Sequence, residues 1–306
     1  MLCVNLIQRV EEAAVLYGGG TRKNIGEFIL KEKSHLYRYS IQEIADATYT
    51  SKAALVRFAK ELGFSGWRAF LKAFVEEQKY QESHYTDIDP NFPFTAQSSR
   101  QDIINQICSL QVESVLDTAD LLDHAPLDEA VDLLKRSRRI GLFGISPNSL
   151  LGELFSRKML SIGRVVDIPV QGTFGLLASS LGEDDCAIII SYSGNSGVRE
   201  TGAILPILQG TGVPIIAITS AGENLLRSAA RYTFSISSRE RLYSKISTFA
   251  TENSILYILN VLFSCYFARD YEANLDRKLH TSQLLEQERR TTIPALLEQK
   301  KEPEHG

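Results

Sequence analysis

Hydrophobic positions follow two different patterns in the two halves of the chain. In residues 1–80, apolar side chains recur at helical spacing, and no strand-like alternation is visible. Beyond residue 125, short apolar runs alternate with stretches of helical spacing. Such alternation indicates βαβ units and a parallel sheet that is covered on both faces. The pattern therefore predicts an all-α head followed by an α/β body.

Glycines divide the predicted helices of the head. The run Gly18-Gly19-Gly20 ends a first short helix, and Gly63 and Gly66 separate the last two. The helices after the glycine run are predicted at Lys23–Lys33, Ile41–Ala47, Ser51–Leu62 and Trp67–Gln78.

Five apolar runs in the body predict the strands of an αβα sandwich with a five-stranded parallel sheet. These runs are Ile140–Ile145, Val165–Ile168, Ala187–Ile190, Pro214–Ile218 and Tyr232–Ile236. The predicted helices of the body include Ser149–Ile162, Phe174–Leu181, Val198–Gln209 and a long closing helix, Ser247–Ala268.

These patterns divide the chain into four parts. Residues 1–80 form the head and residues 125–270 the α/β body. Residues 81–124 form a linker and a connecting helix, predicted at Asp102–Leu122, and residues 271–306 a polar tail. The apolar stripe of the connecting helix is predicted to contain Ile103, Ile107, Leu110 and Val115.

Charge distinguishes the head from the body. Residues 1–80 carry 12 Lys and Arg against 9 Asp and Glu, whereas the whole chain of 306 residues has a net charge of −4. A mildly basic head on an acidic body permits nucleic-acid binding by the head without establishing it.

Cysteine usage and hydropathy indicate the compartment. The four cysteines are far apart and form no Cys-x-x-Cys pair, which argues against a disulfide scaffold or a zinc ribbon. The longest apolar-rich stretch, Ser254–Ala268, has only 15 residues, and no signal peptide is recognisable. We therefore expect a cytoplasmic protein with no membrane segment, no metal site and no cofactor.

The segment Ser40–Phe64 has the pattern of a helix-turn-helix. Thr50 or Ser51 can cap the second helix. Inward-facing apolar residues on both helices leave an outward face near the start of the second helix, the end that enters the major groove in such motifs. The candidate DNA-binding residues on that face are Ser51, Lys52, Ala53 and Arg57. A helical bundle with a solvated face fits the same spacing.

A second cluster of polar residues follows the predicted strand Ala187–Ile190. Hydroxyls and glycines there precede a predicted helix, an arrangement that suits an anion at the carboxyl end of a parallel strand. An ordinary βα turn with capping serines is the alternative. The candidate anion-binding residues of this loop are Ser191, Ser193, Gly194, Asn195 and Ser196.

The helix-turn-helix resembles that of the RpiR family of bacterial regulators. The residues that carry the resemblance are Ser51-Lys52, Val56-Arg57-Phe58, Leu62-Gly63-Phe64 and Gly66-Trp67. Tyr49 stands where the family usually has glycine in the turn. The resemblance implies binding to operator DNA.

The loop Ser-x-Ser-Gly-x-Ser is similar to the phosphosugar motif of SIS (sugar isomerase) domains, which this family carries C-terminally. The loop after the first strand departs from the usual Gly-x-Gly-x-Ser, because Ser146 replaces the second glycine and Asn148 the serine. Asn148 can still donate hydrogen bonds, whereas Pro147 removes one N–H. Ser146, Asn148 and Ser149 are further candidates for effector binding, although Ser146 and Ser149 fit capping roles equally well.

The resemblance implies a transcription regulator of sugar metabolism genes that is controlled by a phosphorylated sugar or amino sugar. A homodimer or homotetramer is expected, with Asp102–Leu122 and Ser247–Ala268 as candidate interfaces unless both pack within the chain. The alternative is a phosphosugar isomerase. No histidine lies within residues 125–270, so binding without catalysis is the simpler expectation, with Glu200, Glu252 and His280 as the remaining acid–base candidates.

Overall fold

The computed structural model describes residues 6–16, 20–84, 88–195, 200–222 and 224–285. The head contains five α-helices and one 3₁₀ helix, Lys33–Arg38. The α-helices are α1 Leu6–Leu16, α2 Thr21–Glu32, α3 Ile41–Ala47, α4 Lys52–Glu61 and α5 Trp67–His84. They enclose one apolar core in which Phe58, Phe70 and Phe74 are buried.

The body is a three-layer αβα sandwich. Its strands are β1 Ile140–Gly144, β2 Cys186–Ser191, β3 Ile215–Ser220 and β4 Tyr232–Ile236. They pair in the order β1-β2-β3-β4, and every pair is parallel. Within the described residues the sheet therefore has four strands, and the expected fifth is wrong.

The missing strand is the predicted Val165–Ile168. Asp167 alone bridges to β1, donating its N–H to Ile140 O at 2.8 Å and accepting from Leu142 N at 2.8 Å. The next bond of a parallel ladder would come from the N–H of residue 169, which is Pro169 and has none. The proline therefore limits the pairing to one residue.

Helices cover both faces of the sheet. One face packs against α7 His124–Arg136, α8 Asn148–Leu160 and the long α13 Phe249–Ala268. The other packs against α9 Phe174–Ser180, α11 Leu205–Thr211 and α12 Leu225–Ala229. The last helix among the described residues, α14 Tyr271–Leu285, lies in the predicted polar tail.

The predicted helix Val198–Gln209 is interrupted. Its described part forms a short α10, Glu200–Ala203, followed by α11. Pro206 lies in the first turn of α11, where a helix needs no hydrogen bond from its N–H. A continuous helix would need that N–H, so the helix is interrupted before Pro206. The start of the predicted helix lies outside the described residues.

The connecting helix α6, Arg100–Asp120, packs on α13 with a largely polar face. Of its predicted stripe, Leu110 is buried, whereas Ile103, Ile107 and Val115 are only half-buried. The other buried residues of α6 are Glu113, Ser114, Asp117 and Thr118. The polar atoms of these side chains form hydrogen bonds. For example, Ser114 Oγ donates to Ala250 O at 2.7 Å, and Thr118 Oγ1 donates to Ser254 Oγ at 2.7 Å.

Candidate functional site

The helix-turn-helix is held by caps at the start of both helices. Ser40 and Glu43 form a capping box at α3, in which Ser40 N donates to the Glu43 carboxylate at 2.7 Å. Hydrogen bonds from the Ser40 backbone and side chain hold the pKa of Glu43 below its ordinary value. At α4, Ser51 Oγ accepts from Ala54 N at 3.2 Å. The sequence thus sets both helix starts through short polar side chains.

The turn between α3 and α4 carries backbone strain. Tyr49 has a φ of +55° and a side chain that is 92% exposed. Thr48 Oγ1 donates to Ile44 O at 2.7 Å and lies 2.8 Å from Thr50 Oγ1, which fixes the residues on either side. The position therefore has the left-handed conformation that favours glycine, although a tyrosine occupies it.

The four candidate DNA-binding residues lie together on the exposed face of α4. Lys52, Ala53 and Arg57 are exposed, while Leu55 and Phe58 on the opposite face are buried in the head core. Ser51 is also exposed, and its hydroxyl caps the helix. The face therefore presents two cations and two small residues at the N-terminal half of α4.

The second candidate site lies at the carboxyl edge of the sheet. Gly144 at the end of β1 pairs with Ile190 of β2, so the loops that follow these two strands are neighbours. The amide of Asn148, the first residue of α8, donates from its Nδ2 to Ile190 O within β2 at 3.3 Å. The amide that sequence reasoning assigned to the effector therefore holds the start of α8 against β2.

The segment 191–195, which comprises the last residue of β2 and the start of the following loop, is packed against the start of α12. Gly194 O accepts from Leu226 N at 3.1 Å, and Asn195 Oδ1 accepts from Leu225 N at 3.0 Å. Gly194 has a φ of +61°, and a Cβ there would lie 2.2 Å from Asn224 Oδ1. Only glycine fits at this position, and Gly194 and Asn195 shape the loop.

The hydroxyls of Ser191 and Ser193 lie on the same loop. Both residues are half-buried, and Ser191 Oγ accepts from Gly194 N at 3.4 Å. Ser196, the remaining candidate of this loop, lies outside the described residues.

An open cleft of about 750 Å³ begins at the loop after β1. Ser146 and Ser149 line it, together with the side of α8 that carries Glu153 and Arg157. The opposite wall comes from the segment after the Asp167 bridge, where Ile168, Pro169 and Val170 are apolar and Gln171 is polar. Ser191, Ser193, Gly194 and Asn195 are not part of its lining.

Sequence reasoning missed Glu153 and Arg157. Both lie on the same face of α8 as Ser149, at spacings of four residues, and this periodicity is the signal that could have identified them. Two of the acid–base candidates of the sequence, Glu252 and His280, are not part of the lining of this cleft, and the side chain of the third, Glu200, lies outside the described residues. Glu252 accepts a hydrogen bond from Thr248 Oγ1 at the start of α13, and His280 is exposed on α14.

Among the described residues, no group of three or more His, Cys, Asp or Glu could hold a metal ion. The helices in that part of the chain also include none that is long and apolar enough to cross a membrane.

Comparisons with known proteins match the two parts of the chain separately. Residues 21–82 match the helix-turn-helix domain of the rpiR family, and residues 133–259 match the SIS domain. An uncharacterized HTH-type transcriptional regulator of Haemophilus influenzae is 27% identical over 251 residues, which are 80% of this chain and 84% of that protein.

Solved structures share the fold. The Vibrio vulnificus NanR protein complexed with ManNAc-6P matches with a TM-score of 0.57 and 20% identity, over 92% of this chain and 97% of that one. A proposed sugar-phosphate isomerase from Listeria monocytogenes matches with a TM-score of 0.50 and 18% identity, over 61% of this chain and 98% of that one.

Proposed function

We propose that the chain is a helix-turn-helix transcriptional regulator of the RpiR family with a SIS domain, and that a phosphorylated sugar or amino sugar controls its affinity for operator DNA. The observation that carries the proposal is the meeting of two hydroxyl-bearing loops, after β1 and after β2, at the carboxyl edge of a parallel sheet. Ligands of open α/β sheets bind at this edge.

The effector's phosphate is proposed to lie between these two loops. Ser191 and Ser193 offer hydroxyl donors from one side, and the N-terminus of the 13-residue α8 offers a favourable dipole from the other. The sugar would then extend into the 750 Å³ cleft, where Ser149, Glu153 and Arg157 provide donors and acceptors for its substituents.

A thermal-shift panel tests effector binding. ManNAc-6P, the compound named for the Vibrio vulnificus relative, is compared with glucosamine 6-phosphate, fructose 6-phosphate, ribose 5-phosphate and inorganic phosphate. A ligand that binds only the native state must raise Tm, and a ligand at about 100 times its Kd stabilises by about 2.7 kcal/mol. If none of the five raises Tm, the proposed effector class is wrong.

Ser193→Ala tests the position of the phosphate. The loss of one hydroxyl hydrogen bond to a charged group costs about 1.5–3 kcal/mol, so calorimetry should show the effector Kd raised at least tenfold. Ser179→Ala is the control, because Ser179 is an exposed serine whose hydroxyl bonds only within α9, to Leu176 O at 3.1 Å. An unchanged Kd in Ser193→Ala would remove this serine from the site.

A homo-oligomer is part of the proposal. One small head offers limited contact with DNA, and two linked heads multiply affinity through effective concentration. The outer face of α6 supports this arrangement, because Ile104, Val112 and Leu116 are 60%, 51% and 56% exposed. The second candidate interface, α13, buries much of its surface within the chain against α6, α7 and α8.

A sugar-phosphate isomerase is the alternative, and the shared fold of the Listeria monocytogenes protein is the observation that favours it.

A gel shift with the DNA upstream of the gene tests the regulator directly. Proton NMR in deuterated water tests the isomerase with the best sugar phosphate of the panel. Deuterium at the second carbon of the sugar, above a control without protein, would establish turnover.

A further inference from the structure

The side chain of Tyr192 leaves the serine loop and meets the segment that follows β4. Its hydroxyl lies 3.2 Å from Ser238 O and 3.1 Å from Glu240 O, and it donates toward these two carbonyls. Tyr192 directly follows β2, and its backbone carbonyl accepts from Ser220 N at the end of β3 at 3.0 Å. Tyr192 therefore joins the proposed effector loop to residues 237–246, named here the β4 strap.

The β4 strap holds the connecting helix α6 by polar contacts. Arg239 forms an ion pair with Glu113 at 3.4 Å, and Ser237 Oγ donates to Asp117 Oδ2 at 3.4 Å. Glu113 and Asp117 both belong to the buried polar face of α6. The strap therefore contacts the same polar face of α6 that packs on α13, and a shift of the strap changes these two contacts.

The same strap holds the linker that precedes α6. Asn91 is buried, and its Oδ1 accepts from Arg241 N at 2.6 Å. Its backbone carbonyl accepts from Ile246 N at 2.9 Å. Two parts of the 81–124 connection, the linker and α6, are thus attached to one ten-residue segment.

The strap is itself anchored at the start of α13. The buried carboxylate of Glu240 accepts from Ala250 N at 2.6 Å and from Thr251 N at 3.3 Å. Lys245, also within the strap, lies 3.9 Å from the same carboxylate. These contacts make the strap a defined unit rather than a loose loop.

We infer that the Tyr192 hydroxyl couples the effector loop to the connection between body and head, through the β4 strap. The inference rests on the proposed function and specifies how that site would regulate DNA binding. A ligand that moves the serine loop changes the geometry of the Tyr192 bonds and so biases the strap that holds α6 and Asn91. Tyr192 is a positioning residue for the coupling, and Ser191 and Ser193 beside it remain the phosphate donors.

Tyr192→Phe tests the inference, because it removes the hydroxyl and keeps the ring. The probe is the sugar phosphate that gives the largest Tm shift in the panel of five. Two quantities are measured: the effector Kd by calorimetry, and the ratio of operator Kd values with and without saturating effector. Loss of one hydrogen bond of this kind changes an equilibrium constant by a factor of about 2 to 10. We expect an effector Kd within about twofold of wild type and a coupling ratio reduced by that factor.

Tyr243→Phe is the matched control. Tyr243 lies in the same strap and is 92% exposed, so loss of its hydroxyl should leave the coupling ratio unchanged. Asn91→Ala is a second variant that breaks the strap at the linker while leaving the effector loop intact. It should reduce the coupling ratio with an unchanged effector Kd.

The outcomes separate this inference from the proposed function. Wild-type protein that binds none of the five compounds contradicts both. Effector binding with a full coupling ratio in Tyr192→Phe and in Asn91→Ala overturns the inference alone. A large rise in effector Kd in Tyr192→Phe would make Tyr192 a ligand contact and would also overturn it.

Discussion

At the scale of single residues, Tyr49 occupies a left-handed turn position within a segment that matches the helix-turn-helix domain of the rpiR family. A residue with a Cβ at a left-handed φ costs about 1–2 kcal/mol, and glycine avoids that cost while losing some entropy on folding. Tyr49→Gly should therefore stabilise the head by about 0.5–1 kcal/mol. Urea denaturation followed by circular dichroism measures the change.

The control for that substitution is Tyr49→Ala, which removes the ring and keeps the Cβ. If the strain explains the effect, alanine gives no comparable gain. Equal stabilities of the glycine and alanine variants would show that the backbone conformation is not the cause.

A second residue-scale prediction concerns Asp185, which lies before β2 with its side chain fully buried. Burial disfavours its charge, but Arg138 and the N–H groups of Gly182 and Arg139 hold the pKa of Asp185 below its ordinary value. In the unfolded chain the pKa of an aspartate is about 3.9. Because the pKa of Asp185 is lower in the folded protein, its ionisation stabilises the fold at pH values above about 3.9. This stabilisation is lost as the pH falls through the pKa of the folded state.

Asp185→Asn should therefore destabilise the body by about 2 kcal/mol at pH 7, since charged hydrogen bonds are lost. The difference from wild type should shrink as pH falls below about 4. Chemical denaturation at pH 7, 5 and 3 measures it, with exposed Asp184→Asn as the control. A difference that stays constant down to pH 3 would contradict the assignment.

Single residues also mark the limit of sequence reasoning at the effector site. Glycine and serine after a buried strand identify the loop, because few residues allow such turns. The same pattern cannot show that Asn148 and Asn195 hold backbone groups, since their partners Ile190 and Leu225 are about 30 to 40 positions away in the chain. Long-range partners are set by tertiary packing, which a local pattern does not contain.

At the scale of elements, helix α4 carries the DNA-binding prediction. Arg57→Ala should weaken operator binding by about 1–3 kcal/mol if the guanidinium contacts a base. Lys52→Ala should lower the salt slope of binding by about one unit if its contact is to phosphate. Fluorescence anisotropy at several salt concentrations measures both effects.

Lys60→Ala is the matched control for these two variants, because Lys60 is exposed on the same helix but in its last turn. It should retain nearly wild-type affinity. Operator binding that is unchanged in the folded Lys52→Ala, Arg57→Ala double variant would exclude docking through this face.

Elements were predicted best where one local signal decides them. The bounds of α3 and β4 agree with the sequence prediction, because a capping serine starts the helix and a short apolar run is bounded by polar residues. The prediction of a strand at Val165–Ile168 was wrong, although the composition of this segment is typical of a strand. Its pairing depends on a proline N–H that does not exist, and apolar periodicity does not register hydrogen-bond donors.

At the scale of the whole molecule, the outer face of α6 predicts how copies associate. Val112→Arg with Leu116→Arg places two charges on the exposed apolar stripe, so sedimentation should show monomers. Operator affinity should fall at least tenfold as the two heads become independent. Glu129→Arg, at an exposed position on α7, is the control and should leave the oligomer intact. An unchanged oligomer in the α6 variant would place the interface elsewhere.

The single-residue bridge at Asp167 has a consequence for aggregation. An open sheet edge is a template on which another chain can add a strand, and unfolded or newly made chains are the most exposed to this hazard. On the β1 side, Asp167 occupies the edge at one residue and Pro169 cannot extend the ladder. A proline at that place thus keeps segment 165–168 from becoming a further edge strand on which another chain could add.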